Sequence, residues 1–157
     1  MVERRPICVD LGCHDHGGSA DSISELIREY NPRVLYGFDA HPATKEGRWR
    51  RGETTVIVER KAAWDSAGTV PMVERGTGTE VHPLRGEIAV PCFDFSKWLR
   101  EHATVPTMVK MDIEGSEYVV LEKMKRDDTD RLVAELLVEY HGPEVEGLRC
   151  PTRKWWM

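Results

Sequence analysis

Short apolar segments that end beside an acidic residue recur along this chain, and helical patterns separate them. Runs of this kind are typical of buried parallel strands. Between the first two, the segment Ser22–Tyr30 has its four large apolar side chains at helical spacing, on one face. Alternating strands and helices predict a parallel sheet with right-handed crossovers, and therefore a doubly wound α/β domain. The strand segments and their acids are Ile7–Leu11 with Asp10, Val34–Phe38 with Asp39, Thr107–Met111 with Asp112, and Ala134–Tyr140 with Glu139.

The positions of these acids predict a ligand site. Ligands of open α/β sheets bind beyond the carboxyl ends of the strands, which lie at one edge of the sheet. One acid after one strand is ordinarily a helix cap or a turn residue. Acids after four separate strands converge on the same edge, which indicates a polar site there.

Other segments fit the same alternation. Thr54–Glu59 is predicted as a further strand, and Asp94 is predicted to cap a helix that extends through His102. A third helix is predicted over Ser116–Lys125. For the first helix, the spacing Ser22-x-x-Glu25 predicts a capping box.

Two stretches depart from this alternation. A polar, weakly periodic stretch after His41-Pro42 is predicted as helical. Residues 67–91 combine short apolar pieces with glycine-rich turns, which predicts an inserted loop or hairpin. The last 17 residues show no long periodic element.

Composition indicates one domain, spanning residues 1–157. Of these 157 residues, 27 are acidic and 22 basic, for a net charge of −5, which disfavours a dedicated nucleic-acid binder. No apolar run approaches the roughly 18 residues needed to cross a bilayer, and no secretory segment follows the first arginines. The four cysteines form no CxxC pair and are expected to be free thiols. We therefore expect a cytoplasmic protein with no membrane partner.

The turn after the first predicted strand indicates the kind of ligand. From Asp10 to Gly18 it reads DLGCHDHGG, which lacks the G-x-G-x-x-G spacing of a dinucleotide site. Asp10 would repel a pyrophosphate, whereas S-adenosylmethionine carries an ammonium and a sulfonium that an acid attracts. Asp39 is placed to accept hydrogen bonds from a ribose diol. The pattern favours S-adenosylmethionine over NAD.

The run Cys13-His14-Asp15-His16 contains side chains that can ligate a metal. Adjacent residues rarely point at one ion, and no second cluster in the sequence completes a set of four ligands. The sequence therefore predicts no metal site.

Five blocks of the sequence follow one motif order. The most specific is K-x-D-x-E-G-x-E at Lys110–Glu117, and E-x-H at Glu139–His141 closes the series. Together the blocks resemble the FkbM-type S-adenosylmethionine-dependent methyltransferases. The resemblance implies a Rossmann-like class I methyltransferase sheet, shortened at the C-terminus, and O-methylation of a hydroxyl on a sugar or small metabolite. The blocks are Asp10-Leu11-Gly12 with downstream Gly17, Tyr36–Pro42, Lys61–Gly68, Val109–Glu117 and Leu137–His141.

The same resemblance implies roles for individual residues around the cofactor. The turn at its methionine end would contain Asp10, Gly12, His14 and Gly17. The ribose would lie at Asp39 and Ala40, the adenine near Ala63 and Trp64, and the sulfonium opposite Asp112.

Methyl transfer also needs a group that takes the proton of the acceptor hydroxyl. Asp112 and Glu114 lie two residues apart at a strand end, where both can face one pocket. A carboxylate needs a raised pKa for this task, whereas His141 has an ordinary pKa in the right range. The sequence leaves open which of the three is the base.

Two features depart from the family pattern, and a third concerns assembly. The glycine turn is one residue longer than D-x-G-x-x-x-G, so His14 or His16 is expected to touch the cofactor. Few residues follow the last predicted strand, so the 67–91 insertion or a second subunit is expected to close the acceptor site. The apolar end Trp155-Trp156-Met157 favours docking on a surface, which leaves a homo-oligomer open.

Two other functions remain as alternatives. One is a non-catalytic module that binds S-adenosylmethionine or a nucleotide, which the short C-terminus favours and the acids Asp10, Asp39, Asp112 and Glu114 oppose. The other is an NAD-dependent oxidoreductase, which the glycine spacing disfavours. For the methyltransferase, the expected partner is a small-molecule or glycan acceptor.

Overall fold

A computed structural model of the chain describes residues 4–13, 21–75, 78–81, 88–150 and 152–155. Strands and helices are mixed along it, which confirms the α/β class. The helices are α1 (Ser22–Tyr30), α2 (Phe95–His102) and α3 (Glu117–Arg126), with a 3-10 turn over Thr129–Leu132. The strands are β1 (Ile7–Leu11), β2 (Val34–Phe38), β3 (Gly47–Arg51), β4 (Thr54–Glu59), β5 (Ala62–Trp64), β6 (Gly68–Arg75), β7 (Gly78–Val81), β8 (Ile88–Asp94), β9 (Thr107–Met111), β10 (Val133–Val138) and β11 (Thr152–Trp155).

Seven strands form the main sheet, in the order β11-β10-β9-β1-β2-β4-β3. All neighbours pair in parallel except β3, which is antiparallel to β4. In this register Asp10 of β1 lies between Gly37 of β2 and Lys110 of β9. The carboxyl ends of β9, β1 and β2 therefore lie side by side at one edge.

Helices cover both faces of this sheet. Because successive side chains of a strand point to opposite faces, neighbouring residues of β1 pack against different helices. Val9 of β1 packs in a buried cluster with α2 and α3 residues such as Leu99 and Leu121. Its neighbour Cys8 packs in a second cluster with Ile23 of α1.

A smaller sheet has the order β5-β8-β6-β7. Here β5 is parallel to β8, and β6 is antiparallel to both β8 and β7. The segment 67–91 thus contributes β6, β7 and the first half of β8. Its buried core includes Val70, Met72 and Cys92, together with Ala40 from the loop after β2. This contact places the small sheet beside the carboxyl end of β2.

The predicted helix after His41-Pro42 is wrong. Gly47–Arg51 is instead the antiparallel strand β3, joined to β4 through Gly52 at φ +62°. Trp49 packs against a core cluster while its neighbours Arg48 and Arg50 are exposed, which is the two-residue period of a strand.

The predicted capping box of α1 is also wrong. Asp21 is the N-cap, and its side chain accepts a hydrogen bond from the Ser24 backbone N–H. The Ser22 hydroxyl donates instead to Asp10 on β1. For α2 the predicted cap is confirmed, because Asp94 Oδ1 accepts from the Lys97 N–H at 3.0 Å.

The segment after β10 adds to both core and sheet. Val145, Leu148 and Cys150 are buried in the main core, and β11 pairs with β10 at the edge of the sheet. Among the helices that the structure describes, none has the length and apolar character needed to cross a bilayer.

Candidate active site

A cleft opens at the carboxyl ends of β9, β1 and β2. The small sheet forms one of its walls through Ala62 and Met72. The cleft brings together residues that the sequence predicts for both the cofactor and the chemistry. Those among its lining are Gly12, Asp39, Ala40, Ala63, Asp112 and Glu114.

Gly12 lies where the β1 turn meets the β9 turn. Its φ is +84°, and a Cβ atom there would come within 1.8 Å of the Asp112 carbonyl oxygen. Its N–H donates to the Phe38 carbonyl at 2.8 Å, and the Asp112 N–H donates to the Leu11 carbonyl at 3.0 Å. Only glycine fits this crossing, which ties the ends of β9, β1 and β2 together.

Asp10 lies beneath the cleft and does not line it. Its carboxylate accepts a hydrogen bond from Ser22 and lies 3.3 Å from the Lys110 ammonium. Lys110 Nζ also lies 3.9 Å from Asp112 Oδ2 and donates to the Gly12 carbonyl at 3.4 Å. Burial lowers the pKa of Lys110, but the carboxylates of Asp10 and Asp112 outweigh that effect and raise the pKa overall. The ammonium therefore stays charged, and it compensates Asp10.

Asp39 follows β2 at the opposite side of the cleft. Its carboxylate is buried and accepts the His41 backbone N–H at 2.9 Å, which fixes its orientation. His41 in turn accepts the Ala43 N–H through Nδ1 at 3.0 Å. The loop that presents Asp39 and Ala40 is therefore held by local hydrogen bonds.

The predicted adenine residues separate in the structure. Ala63 is buried and lines the cleft, whereas Trp64 packs on the core of the small sheet and is not among the lining residues. Lys61, which the sequence analysis does not single out, also lines the cleft. Its ammonium lies 4.5 Å from the ring centroid of Phe93 and 2.8 Å from Glu59 Oε2.

The loop between β9 and α3 has an unusual backbone. Glu114 has φ +51° and Gly115 has φ +101°, so two successive residues are left-handed. Glu117, with 1% of its surface exposed, reaches back from α3 and accepts the N–H groups of Ile113 at 3.0 Å and Gly115 at 2.9 Å. These bonds offset the strain of the non-glycine left-handed residue, which costs on the order of 1–2 kcal/mol.

His141 follows β10 and faces the same loop. Its Nδ1 lies 2.9 Å from Glu117 Oε1. Its Nε2 lies 3.7 Å from Asp112 Oδ1, 3.6 Å from Glu114 Oε2 and 3.9 Å from Glu139 Oε1. The three candidate bases of the sequence analysis thus form one cluster with two further acids.

This cluster changes the proton affinity of its members. Burial lowers the pKa of His141, but the hydrogen bond to Glu117 and the carboxylates of Glu114 and Asp112 raise it by more. Burial, and then the Asp112 carboxylate, raise the pKa of Glu139. Both His141 and Glu139 therefore bind a proton more tightly than they would in water.

The cleft lies within a segment that matches a known family. The family model described as the methyltransferase FkbM domain matches residues 10–149. The chain belongs to the FkbM methyltransferase family. This confirms the family expected from the five sequence blocks and supports methyltransferase activity. No curated protein and no solved structure matches the chain.

In this FkbM-family protein the structure adds residues that the sequence analysis did not assign to the site. Lys110 and Glu117 both belong to the K-x-D-x-E-G-x-E block, so the motif held the signal for them. Ser22 gave no such signal, because its contact with Asp10 depends on tertiary packing. Two residues predicted at the cofactor, His14 and Gly17, lie outside the described residues. The same is true of the run Cys13–His16 except for Cys13 itself.

Proposed function

We propose that this protein transfers a methyl group from S-adenosylmethionine to a hydroxyl on a sugar or small metabolite. The observation that carries the proposal is the convergence of Asp39, Asp112 and Glu114 in one cleft, at the ends of β2 and β9, the two parallel strands that flank β1. Ligands of open α/β sheets bind at this edge, and the family supplies the class of reaction. The sheet itself is proposed to be the doubly wound, Rossmann-like class I methyltransferase sheet.

The spacing of the strands suits an extended nucleoside. Parallel strands lie about 4.8 Å apart, so the ends of β9 and β2 are roughly 10 Å apart with β1 between them. Asp39 at the β2 end is suited to accept both hydroxyls of a ribose. Asp112 at the β9 end is suited to the sulfonium and ammonium of the methionine part.

The small sheet supplies the wall that an adenine ring needs. Ala62, Ala63 and Met72 give this side of the cleft an apolar surface, as is usual where proteins bind flat heterocycles. Lys61 also lines the cleft, and its ammonium group adds a hydrogen-bond donor next to this apolar surface.

The chemical step is a displacement at carbon. The acceptor oxygen forms a bond to the methyl carbon as the bond from that carbon to sulfur breaks, and S-adenosylhomocysteine leaves. The hydroxyl proton passes to a base, for which Asp112, Glu114 and His141 are the candidates. Loss of the positive charge on sulfur is the change that the cleft must accommodate.

Calorimetric titration with S-adenosylhomocysteine tests the cofactor part. We expect submillimolar binding, weakened about tenfold or more in Asp39→Ala, since a lost charge-assisted hydrogen bond costs about 1.5–3 kcal/mol. Glu101→Ala removes an exposed carboxylate on α2 and serves as the matched control. Binding of NAD without binding of S-adenosylhomocysteine would instead favour the oxidoreductase alternative.

Turnover tests the chemical part. Hydroxylated metabolites and glycans are incubated with labelled S-adenosylmethionine and scored by mass gain. With an acceptor in hand, Asp112→Asn is expected to lose turnover. Intact cofactor binding in this variant would assign Asp112 to the chemical step, and loss of binding as well would assign it to the cofactor. Cofactor binding with no turnover of any acceptor by the wild type would favour the non-catalytic module. A cytoplasmic location and a homo-oligomer stay predictions from the sequence.

A further inference from the structure

Three carboxylates face one ring nitrogen beyond the ends of β9 and β10. Oxygens of Asp112, Glu114 and Glu139 lie 3.6–3.9 Å from His141 Nε2. These separations are too long for hydrogen bonds. The groups come from the strand end, the left-handed turn and the loop after β10, and they surround the same ring nitrogen.

The imbalance of charge in this cluster is large. Asp112, Glu114, Glu117 and Glu139 surround a single imidazole, and the nearby Lys110 is shared with Asp10. Carboxylates this close repel one another unless a proton or a cation compensates them.

The imidazole is oriented as a metal-bound histidine usually is. Its Nδ1 meets Glu117, a carboxylate that is buried and fixed by two backbone N–H groups. Histidine ligands ordinarily donate their second ring N–H to such a carboxylate, which fixes the tautomer and leaves the other nitrogen for the ion. In His141 this leaves Nε2 facing the three carboxylates.

Asp112 supplies an independent observation. Its Oδ1 is buried, yet it accepts no hydrogen bond within the part of the chain that the structure describes. Buried polar atoms nearly always have a partner, and an exception calls for a specific explanation. This oxygen is the one that faces His141 Nε2, so an ion between them would provide its partner.

We propose that Asp112, Glu114, Glu139 and His141 bind a divalent cation, with Glu117 orienting His141 from outside the coordination sphere. Donor atoms about 2.1 Å from one ion lie about 3.0–3.5 Å apart, so the side chains must rotate to bring the carboxylate oxygens together around the ion. Three oxygens and one imidazole nitrogen suit Mn²⁺ better than Mg²⁺ or Ca²⁺, which prefer oxygen alone.

The role of this cation in catalysis rests on the proposed function. A divalent cation beside the acceptor hydroxyl would lower the pKa of that hydroxyl, so that its proton could pass to water while Asp112, Glu114 and His141 act together as ligands. Binding of the cation itself needs no cofactor. The sequence predicted no metal because the four ligands come from two segments about 25 residues apart, which fold together through the pairing of β9 with β10.

The test uses the full chain, stripped with EDTA and dialysed, without S-adenosylmethionine. Mn²⁺ is titrated in, and the free ion is followed by its electron paramagnetic resonance signal. We expect one ion per chain and a higher melting temperature with Mn²⁺. His141→Ala and Glu139→Gln are each expected to weaken binding about tenfold or more, whereas Glu122→Gln, an exposed position on α3, is expected to leave it unchanged.

Glu139→Gln keeps the test decisive if His141→Ala fails to fold, because the Glu139 side chain is 44% exposed and tolerates an isosteric change. Absence of stoichiometric Mn²⁺ binding by the wild type, or wild-type affinity in Glu139→Gln, would overturn the proposal. S-adenosylhomocysteine binding is measured on the same samples. Its presence without Mn²⁺ binding rejects the cation site alone, and its loss with Mn²⁺ binding intact rejects the proposed function alone.

Discussion

Lys110 Nζ lies 3.3 Å from Asp10 Oδ1 beneath the floor of the cleft, where the exposed fractions of the two side chains are 3% and 0%. The two residues are direct neighbours across the pairing of β1 and β9. The acid at the end of the first strand is therefore compensated inside the protein. Through Lys110, which also contacts the Gly12 carbonyl and Asp112, Asp10 is connected to the place where the β1 and β9 turns meet.

Removal of the Lys110 ammonium is expected to destabilise the fold strongly. Lys110→Met leaves the Asp10 carboxylate buried without its counter-charge, which costs about 3–5 kcal/mol. Adding Asp10→Asn removes the uncompensated charge and is expected to restore part of that loss. Urea unfolding of the wild type, the single variant and the double variant measures both effects. If the unfolding free energy of Lys110→Met lies within about 1 kcal/mol of the wild-type value, the pair does not contribute the expected stabilisation.

Gly12 and Gly52 form a matched pair for the cost of a side chain in the left-handed region. Both have positive φ, but a Cβ at Gly52 meets nothing within 4 Å, whereas one at Gly12 meets the Asp112 carbonyl. Gly52→Ala is expected to cost about 1–2 kcal/mol from the backbone alone. Gly12→Ala is expected to cost about 3 kcal/mol more, because the overlap must displace the Asp112 turn.

Unfolding free energies from denaturant titration measure this difference. S-adenosylhomocysteine titration on the same two variants gives a second readout, since a displaced Asp112 turn changes the cleft while a change at Gly52 does not. Equal stability of the two variants would contradict the close crossing of the β1 and β9 turns.

Local sequence patterns predicted most of the main sheet. β1, β2, β4 and β9 are short apolar runs bounded by turns or acids, and such runs carry their own signal. β3 was missed because a polar stretch with one tryptophan fits a helix or a strand, and the choice depends on its pairing with β4. The cap of α1 was missed for a similar reason, since Ser22 donates to Asp10, 12 residues earlier.

The part of the site that lies within a single turn, between β9 and α3, could be predicted from the sequence. Asp112 and Glu114 face the same cleft because the backbone turns sharply at Glu114, as their spacing suggested. The close crossing at Gly12 was not visible, because the atom that excludes a side chain is a carbonyl 100 residues further along the chain. The approach of His141 to that turn depends likewise on the neighbouring position of β10.

Asp127 predicts a pH dependence of stability. The hydrogen bond from Lys123 at 2.8 Å, with a further one from Ser96 at 2.9 Å, lowers the pKa of this carboxyl in the folded state. A lowered native pKa stabilises the fold fully above the unfolded value near 3.9 and loses that stabilisation as the pH falls through the native pKa.

The difference in unfolding free energy between wild type and Asp127→Asn is therefore expected to be constant from about pH 6 upward and to shrink below about pH 4. Chemical unfolding at several pH values measures it. A difference that grows on acidification would have the wrong sign for a native-state carboxylate held by Lys123.

Glu117 is expected to be the acid of α3 that the fold can least replace. Its two oxygens accept the Ile113 and Gly115 N–H groups, and Oε1 also meets His141. In Glu117→Gln one of these oxygens becomes an NH₂ group that faces a backbone N–H, so a bond is lost and two donors oppose each other. We expect a loss of about 1–3 kcal/mol. Glu122→Gln, at an exposed position of the same helix, is expected to change stability by no more than about 0.5 kcal/mol. Denaturant unfolding compares the stability of the two variants. Hydrogen exchange at the Ile113 and Gly115 amides then locates the effect. If Glu117 stabilises the left-handed turn, these two amides exchange faster in Glu117→Gln and at the wild-type rate in Glu122→Gln.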